Sequence, residues 1–238
     1  MIKRLSIIIP VFNEEKTVRQ VIKKVGSLVF DEVEKEVIVV DDGSTDATAS
    51  TINNLQLTNK SIKIFRHTKN QGKGAAVRTG IAKATGDYII IQDADLEYNP
   101  DDIKKLLSAV KKDKVVYGTR LNRLPNFQRD ERTPQFFIHY MGNRFLSLLT
   151  SVLYGKWLTD IETGYKLFPK EVLKKIELRG SGFEFEAEVT VKLLKKGYAI
   201  LEVPIVTNPR GYDKGKKLDT VSDGIKALWT LLKYRFTD

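Results

Sequence analysis

The sequence predicts an α/β protein with a mostly parallel central sheet flanked by helices, and three observations carry that expectation. Short β-branched runs such as Glu36 to Val40 and Tyr88 to Ile91 are nearly continuous in apolar character, the pattern of strands buried on both faces of a parallel sheet. Helix-length stretches alternate with them. Two acidic clusters, Asp41-Asp42-Gly43-Ser44-Thr45-Asp46 and Gln92-Asp93-Ala94-Asp95-Leu96-Glu97, each follow such a run, and carboxylates so placed sit at the ligand-binding edge of an open α/β sheet.

Taken in order, Leu5 to Val11 reads as the first strand, with a helix from about Glu15 to Leu28. Strand Glu36 to Val40 is followed by a helix from about Thr45 to Leu55, and Ile62 to Phe65 is the third strand. A helix from about Gly74 to Ala84 ends before Gly86, a C-terminal cap ahead of strand Tyr88 to Gln92. Asn99-Pro100 supplies a cap and a first-turn proline for a helix to about Lys112, and Val115 to Thr119 is the next strand. After Arg120 the alternation gives way to an arginine-bearing loop, an apolar helical region and mixed elements. The final helix, about Thr220 to Phe236, places Val221, Ile225, Leu228, Trp229, Leu232 and Phe236 near one face. Packing of that face on the protein's own sheet is the expectation, with an interfacial helix beside a lipid as the alternative.

Composition bounds the class. The 238 residues, 42% hydrophobic and 29% charged, suit one compact unit with a sizeable core and do not indicate disorder. No cysteine is present, so disulfides, thiolate zinc sites and cysteine nucleophiles are excluded, which fits a cytoplasmic protein. The N-terminus runs from Lys3-Arg4 directly into a strand-length apolar segment, unlike a signal peptide. Between Thr133 and Gly155 the only formal charge is Arg144, yet the longest uncharged run, Phe145 to Gly155, is too short to span a bilayer. A net charge of +10 asks for a polyanionic partner, among which are nucleotide diphosphates, lipid phosphates and an anionic membrane surface. No basic stripe interleaved with aromatics marks a nucleic-acid module.

Two acids one residue apart in extended chain project to the same side, so Asp93 and Asp95 converge on one hard cation while Ala94 points away. Of the adjacent Asp41 and Asp42, one faces a ligand and the other stabilises the Asp-Gly-Ser-Thr turn. Gly72-Lys73-Gly74 either lets backbone approach a phosphate at a helix start, with Lys73 beside it, or is a helix entry with a surface lysine. Arg120 ends an apolar strand on the same edge as the acids, and its guanidinium forks onto phosphate oxygens. His67 and His139 lack paired metal-ligand spacing and read as surface or interface residues.

Ser6-Ile7-Ile8-Ile9-Pro10-Val11-Phe12-Asn13-Glu14-Glu15, Val39-Val40-Asp41-Asp42-Gly43-Ser44-Thr45-Asp46, Asn70-Gln71-Gly72-Lys73-Gly74 and Asp93-Ala94-Asp95 together resemble glycosyltransferase family 2. Tyr117-Gly118-Thr119-Arg120, Thr159-Asp160-Ile161-Glu162-Thr163-Gly164-Tyr165-Lys166, Gly182-Phe183-Glu184-Phe185-Glu186 and Gly215-Lys216-Lys217 look like its branch of dolichol-phosphate mannose and glucose synthases. The resemblance implies a GT-A fold and an inverting enzyme that moves a hexose from a nucleotide diphosphate sugar, of the GDP-mannose or UDP-glucose type, to a polyprenyl or dolichyl phosphate. It divides the catalytic domain 1–238 into a nucleotide-sugar-binding half, 1–120, and an acceptor-binding half, 121–238.

By that resemblance Asp95 and Glu97 hold Mg2+ or Mn2+, although Glu97 stands where a glutamine is frequent. Asp93 lies near the donor sugar or ribose, Pro10, Glu14 and Asp41 surround the base and ribose, and Lys73 approaches phosphate. Arg120 takes donor or acceptor phosphate. Independently of the resemblance, Arg123, Arg129, Arg132 and Arg144 in the less regular region that follows either line an acceptor-phosphate pocket or lie at the surface. Asp160 matches the branch's acidic position as an acceptor-orienting group or base. A phosphate monoester, with a second pKa near ~6, needs no strong base, whereas a sugar hydroxyl would, with Asp160, Glu184 or Glu186 as candidates. Membrane contact is expected at the surface of the bilayer or through a separate membrane protein.

Other classes fit less well. A nicotinamide-dependent dehydrogenase would carry Gly-x-Gly-x-x-Gly after the first strand, where this chain has Pro-Val-Phe-Asn-Glu. A nucleic-acid-binding protein would be repelled by the strand-end acids. A non-catalytic sugar-nucleotide sensor keeps every binding feature and differs only in turnover, and a transferase that elongates a saccharide through a hydroxyl acceptor is the nearest enzymatic alternative.

Overall fold

A computed structural model describes residues 2–58, 61–111, 114–120, 134–209 and 219–237. Arg123, Arg129, Arg132 and the Gly215-Lys216-Lys217 motif lie outside them. Strands β1 (Arg4–Val11), β2 (Glu34–Asp41), β3 (Ile62–Arg66), β4 (Tyr88–Ile91), β5 (Val115–Thr119), β6 (Lys166–Pro169) and β7 (Ile200–Pro204) form one sheet in the order β3-β2-β1-β4-β6-β5-β7. All neighbours are parallel except β6, which runs antiparallel to both β4 and β5. The buried apolar runs of the sequence are these strands: every residue of β4 and β5 is buried.

Helices α1 (Val18–Ser27), α2 (Thr48–Thr58) and α4 (Asp102–Ser108) cover one face, where Leu5, Ile7, Ile9, Val21, Ile52 and Leu106 share a core. On the other face α3 (Lys73–Lys83), α6 (Lys170–Leu173) and α7 (Phe185–Lys195) pack Val77, Val172 and Phe185 against Ile8, Ile38 and Ile89. The alternation of Ile7 and Ile8 between these two cores is the strand period of two. A third cluster joins α5 (Pro134–Tyr154), α7 and α8 (Thr220–Phe236) through Leu146, Val191, Ala227 and Leu231.

Several boundaries differ from the sequence expectation. The first helix starts at Val18 rather than Glu15, because Glu14 and Glu15 are drawn to the β2–α2 loop: the Glu14 amide donates to Thr48 Oγ1 (2.8 Å) and Glu15 Oε2 accepts from Ala47 N (3.0 Å). The second helix starts at Thr48 rather than Thr45, with Thr48 N donating to Asp46 Oδ1 at 3.0 Å. The stripe on α8 is reversed. Val221, Ile225, Trp229 and Phe236 are exposed, while Ala227, Leu231 and Tyr234 pack inward, and the Tyr234 hydroxyl donates to Glu188 at 2.9 Å. A narrower seam with a small residue lets α8 sit close on α7, leaving the broader apolar face uncovered.

The edge of the sheet opposite the strand-end acids is tied by Glu36. Its carboxylate accepts from Ser6 Oγ, Lys63 Nζ and both the amide and hydroxyl of Thr85, joining β1, β2, β3 and the entry to β4. Burial raises this carboxyl, but the hydrogen bonds from Lys63, Ser6 and Thr85 outweigh it and hold the pKa at about 2. A folded-state value below the unfolded one contributes stability above the ordinary carboxylate range, which is lost as pH falls toward about 2. Glu36→Gln is therefore expected to lower stability at neutral pH by about 1–3 kcal/mol. Urea midpoints of the two proteins should converge as pH falls, and parallel curves would contradict the assignment.

Candidate active site

The carboxyl ends of β1, β4 and β5, the start of α3 and the loops 159–165 and 180–184 enclose a cleft of about 510 Å³. Its walls include Pro10, Glu14, Asp42, Lys73, Asp93, Asp95, Glu97, Arg120, Glu162 and Glu186.

On the β1–β2 side, Asn13 adopts φ 49° and its side-chain oxygen accepts from Thr45 N at 2.8 Å; asparagine tolerates this left-handed turn better than most residues. Of the two aspartates at the end of β2, Asp42 lines the cleft and Asp41 is not among its walls. Asp41 accepts from Ser44 N (2.9 Å) and pairs with Arg66 (3.1 Å). Asp42 accepts from the amides of Gln71 (3.0 Å) and Gly72 (2.7 Å) and meets His67 Nδ1 at 2.6 Å, while His67 Nε2 meets Thr79 Oγ1 at 2.9 Å. His67 is thus a half-buried brace between Asp42 and α3, a role that spacing in the sequence does not reveal.

Gly72 at the start of α3 has φ 97°, and a Cβ there would lie 2.3 Å from the Ser181 carbonyl oxygen; one on Gly74 would lie 2.6 Å from that of Gly180. The glycines are thus required by a close approach of the protein's own 180–182 loop. That approach closes the cleft wall and holds Lys73 between Asp93 Oδ1 (2.8 Å) and Glu186 Oε1 (3.1 Å). The other Glu186 oxygen meets Lys166 Nζ at 2.5 Å, and Lys166 also donates to the carbonyls of Ile161 and Thr163. Burial alone would raise the Glu186 carboxyl, but Lys166 and Lys73 outweigh it and keep it below the ordinary range.

Past β4 the chain leaves the extended conformation earlier than the alternation argument assumes. Asp93 to Glu97 form a turn, Leu96 has φ 65°, and Asp95 Oδ1 accepts from Glu97 N at 3.0 Å. Positive φ at leucine is a strained conformation of the kind that collects at functional sites. Asp93, Asp95 and Glu97 all line the cleft, and Ala94 is buried in the core. Among the described residues no group of three or more His, Cys, Asp or Glu side chains forms a closed metal cage. The donor set suits Mg2+ or Mn2+ shared with a diphosphate, since such ions are commonly held by one or two carboxylates together with substrate phosphates.

Arg120 is clamped by Asp160. Its Nε lies 2.7 Å and its backbone N 3.0 Å from Oδ2, with Nη2 2.8 Å from Oδ1. Burial raises the Asp160 carboxyl, but Arg120 outweighs it and keeps it ionised. Glu202 on β7 fixes the loop by accepting from the amides of Thr159 (2.9 Å) and Asp160 (3.0 Å). Tyr98 lies under Arg120 (6.0 Å), stacks on Tyr165 (4.7 Å) and accepts from Gly164 N (2.8 Å). Asp160 is fully buried with both oxygens on Arg120, so it positions the guanidinium that faces the cleft. Arg144, on α5, donates to Tyr140 Oη at 3.3 Å and is absent from the described lining, whereas His139 is in it. Sequence reasoning missed Glu162, Glu186 as a charge partner and Tyr98; the i, i+2 acids of Asp160-Ile161-Glu162 were the available signal for the first.

An acid-lined cleft at the carboxyl edge of a mostly parallel sheet is where open α/β folds bind their ligands. The Glycosyl transferase family 2 profile matches residues 6–177, and the chain belongs to that family. It is 30% identical to the UDP-N-acetylglucosamine–dolichyl-phosphate N-acetylglucosaminyltransferase of Methanococcus voltae, over 97% of this chain and 95% of that one. It is 26% identical to the dolichol-phosphate mannosyltransferase of Pyrococcus furiosus, over 97% of this chain and 64% of that one. Among solved structures, glucosyl-3-phosphoglycerate synthase of Mycobacterium tuberculosis with Mn2+, UDP and phosphoglyceric acid superposes with a TM-score of 0.75 at 20% identity, covering 99% of this chain and 80% of that one. The last likeness shows the fold, and the GT-A expectation is borne out.

Truncating one partner of a buried ion pair strands the other charge and costs about 3–5 kcal/mol. Arg120→Ala should therefore lower the urea midpoint by that order, and Arg120→Met combined with Asp160→Leu should recover most of the loss. A loss below about 1 kcal/mol, the value of an exposed pair, would contradict the clamp.

Proposed function

We infer that this enzyme transfers a hexose from a nucleotide diphosphate sugar to the phosphate of a polyprenyl or dolichyl lipid at a membrane surface, with inversion at the anomeric carbon. The observation that carries this reading is the uncovered apolar surface on α5 and α8. His139 of α5 lines the cleft, while Phe137, Ile138, Met141 and Phe145 on the same helix are exposed, as are Ile225, Trp229 and Phe236 on α8. No described helix is long and apolar enough to cross a membrane. An apolar helix face with Lys226, Lys233 and Arg235 on the same element, on a chain of net charge +10, suits the interface of an anionic bilayer. The two named lipid-phosphate sugar transferases that align over 97% of this chain support the same acceptor.

In this reading Pro10, Glu14 and the Asp41-Asp42 turn take the base and ribose. A divalent ion on Asp95, with Glu97 beside it, would neutralise the departing diphosphate as Lewis acid. Lys73, held by Asp93 and Glu186, directs its remaining N–H to phosphate, and Asp93 stands where the hexose enters. Arg120, oriented by Asp160, binds the acceptor phosphate. A phosphate dianion is its own nucleophile, which fits an Asp160 whose oxygens are already committed to Arg120.

Sugar nucleotides tested with Mg2+ or Mn2+ and a short-chain prenyl phosphate should give a prenyl-phosphate hexose, and Asp95→Asn should lose at least about 100-fold in metal-dependent rate, about 3 kcal/mol of barrier. Efficient transfer to a soluble sugar hydroxyl with prenyl phosphate ignored would establish the saccharide-elongating alternative instead. Vesicles containing anionic lipid should retain the protein at low salt and release part of it as salt rises. Ile225→Asp with Trp229→Asp should abolish retention without shifting the thermal midpoint, and unchanged retention would remove α8 from the membrane contact.

A further inference from the structure

Three cations around the cleft are paired with carboxylates of the protein. Lys73 is shared by Asp93 and Glu186, Lys166 pairs with Glu186, and Arg120 pairs with Asp160. These three cations are taken up by three carboxylates, and Glu162 is a further carboxyl beside them. It projects from the 159–165 loop between the Arg120 clamp and Gly164, where a Cβ would lie 2.4 Å from Asp93 Oδ2. Its side chain lines the cleft, and its Oε1 is closed off from water with no hydrogen-bond partner among the described residues.

Neither neighbouring cation donates to this oxygen. Lys166 already donates to Ile161 O, Thr163 O and Glu186, and the Nε and Nη2 of Arg120 are committed to Asp160. The charged groups facing Glu162 are Lys166 on β6, Glu186 on α7, Arg120 at the end of β5 and Asp160 on its own loop. His139 of α5, Lys73 and Asp93 line the same cleft. An ionised carboxylate in this position would hold a buried oxygen without a hydrogen bond, whereas the neutral acid keeps an O–H that can be donated to a ligand.

Resting on the transfer reading above, we propose that Glu162 is a substrate-binding acid: its protonated carboxyl donates a hydrogen bond to a phosphate oxygen bound in the cleft, and its ionised form repels that phosphate. The shared chemistry is a phosphate oxygen, supplied by the donor diphosphate or by the lipid monoester. Burial raises the Glu162 carboxyl first, Glu186 and Asp160 add to this against Lys166 and Arg120, and the group titrates at about 7. The binding acid is thus half-charged near neutrality, and phosphate affinity falls as pH rises through that value. Glutamine at this position would keep a donor at every pH.

Calorimetric binding of a nucleoside diphosphate, and separately of a short-chain prenyl phosphate, to the wild-type protein and Glu162→Gln from one unit below to one unit above about 7 tests this. For one of the two ligands the wild-type affinity should fall about tenfold more than that of Glu162→Gln over this range. The ionisation of the ligand itself is common to both proteins and cancels. The same ligand should bring about one proton taken up per site by the wild type in alkaline buffer and none by Glu162→Gln, a difference that a merely structural role would not produce. Which ligand shows the effect identifies the phosphate. Parallel pH profiles and equal proton uptake in the two proteins for both ligands would overturn the proposal while leaving the transfer reading intact. If neither phosphate ligand binds the wild type, the transfer reading falls and the role of Glu162 falls with it.

Discussion

The cleft depends on a run of paired charge from the buried Lys166 and Glu186 to the half-buried Lys73 and Asp93. Each link joins elements far apart in the sequence: β6 to α7, α7 to α3, and α3 to the turn after β4. Burying charged groups is expensive unless each is paired, so the chain is stable only as a unit. That requirement explains the glycines at 72 and 74, whose missing side chains let the 180–182 loop approach until Lys73 and Glu186 meet. It also sets the electrostatics of the site: Asp93 at the end of β4 is answered by Lys73 from the opposite wall.

The two edges of the sheet use carboxylates in opposite ways. At the amino edge Glu36 receives hydrogen bonds from Ser6, Lys63 and Thr85 and ties strands together. At the carboxyl edge Asp93, Asp95 and Glu97 stand in a strained turn open to the cleft. The same residue type is a fastening where its oxygens are saturated by the protein and a binding group where they face a cavity. Asp160 and Glu162, two residues apart, repeat the contrast within one loop. Both oxygens of Asp160 are spent on Arg120, while Glu162 has an oxygen left over.

Much of this architecture was legible in the sequence, because a strand buried on both faces leaves a continuous apolar run. β1, β2, β4 and β5 follow such runs closely, and their ends locate Asp93, Asp95, Glu97 and Arg120 on one edge. The errors have a common source in tertiary contact. Glu14 and Glu15 look like a first helical turn but are recruited by Thr48 and Ala47. The α8 stripe looks like a core face, yet the narrower Ala227, Leu231 and Tyr234 seam packs on α7. His67 carries no motif, since its partners Asp42 and Thr79 come from different elements. Glu162 and Glu186 sit within recognisable segments, but only the approach of α7 and β6 shows that one is paired and the other is not.

The most direct measurement of the central claim is a double-mutant cycle of Lys73→Met and Glu186→Gln, read on both the urea midpoint and the affinity for a nucleoside diphosphate with Mn2+. If the paired charge run acts as a unit, the two substitutions should couple by about 1–3 kcal/mol in stability and be non-additive in nucleotide affinity as well. Losses that add within about 0.5 kcal/mol in both readouts would show independent side chains, and the dependence of the cleft on this network would be contradicted.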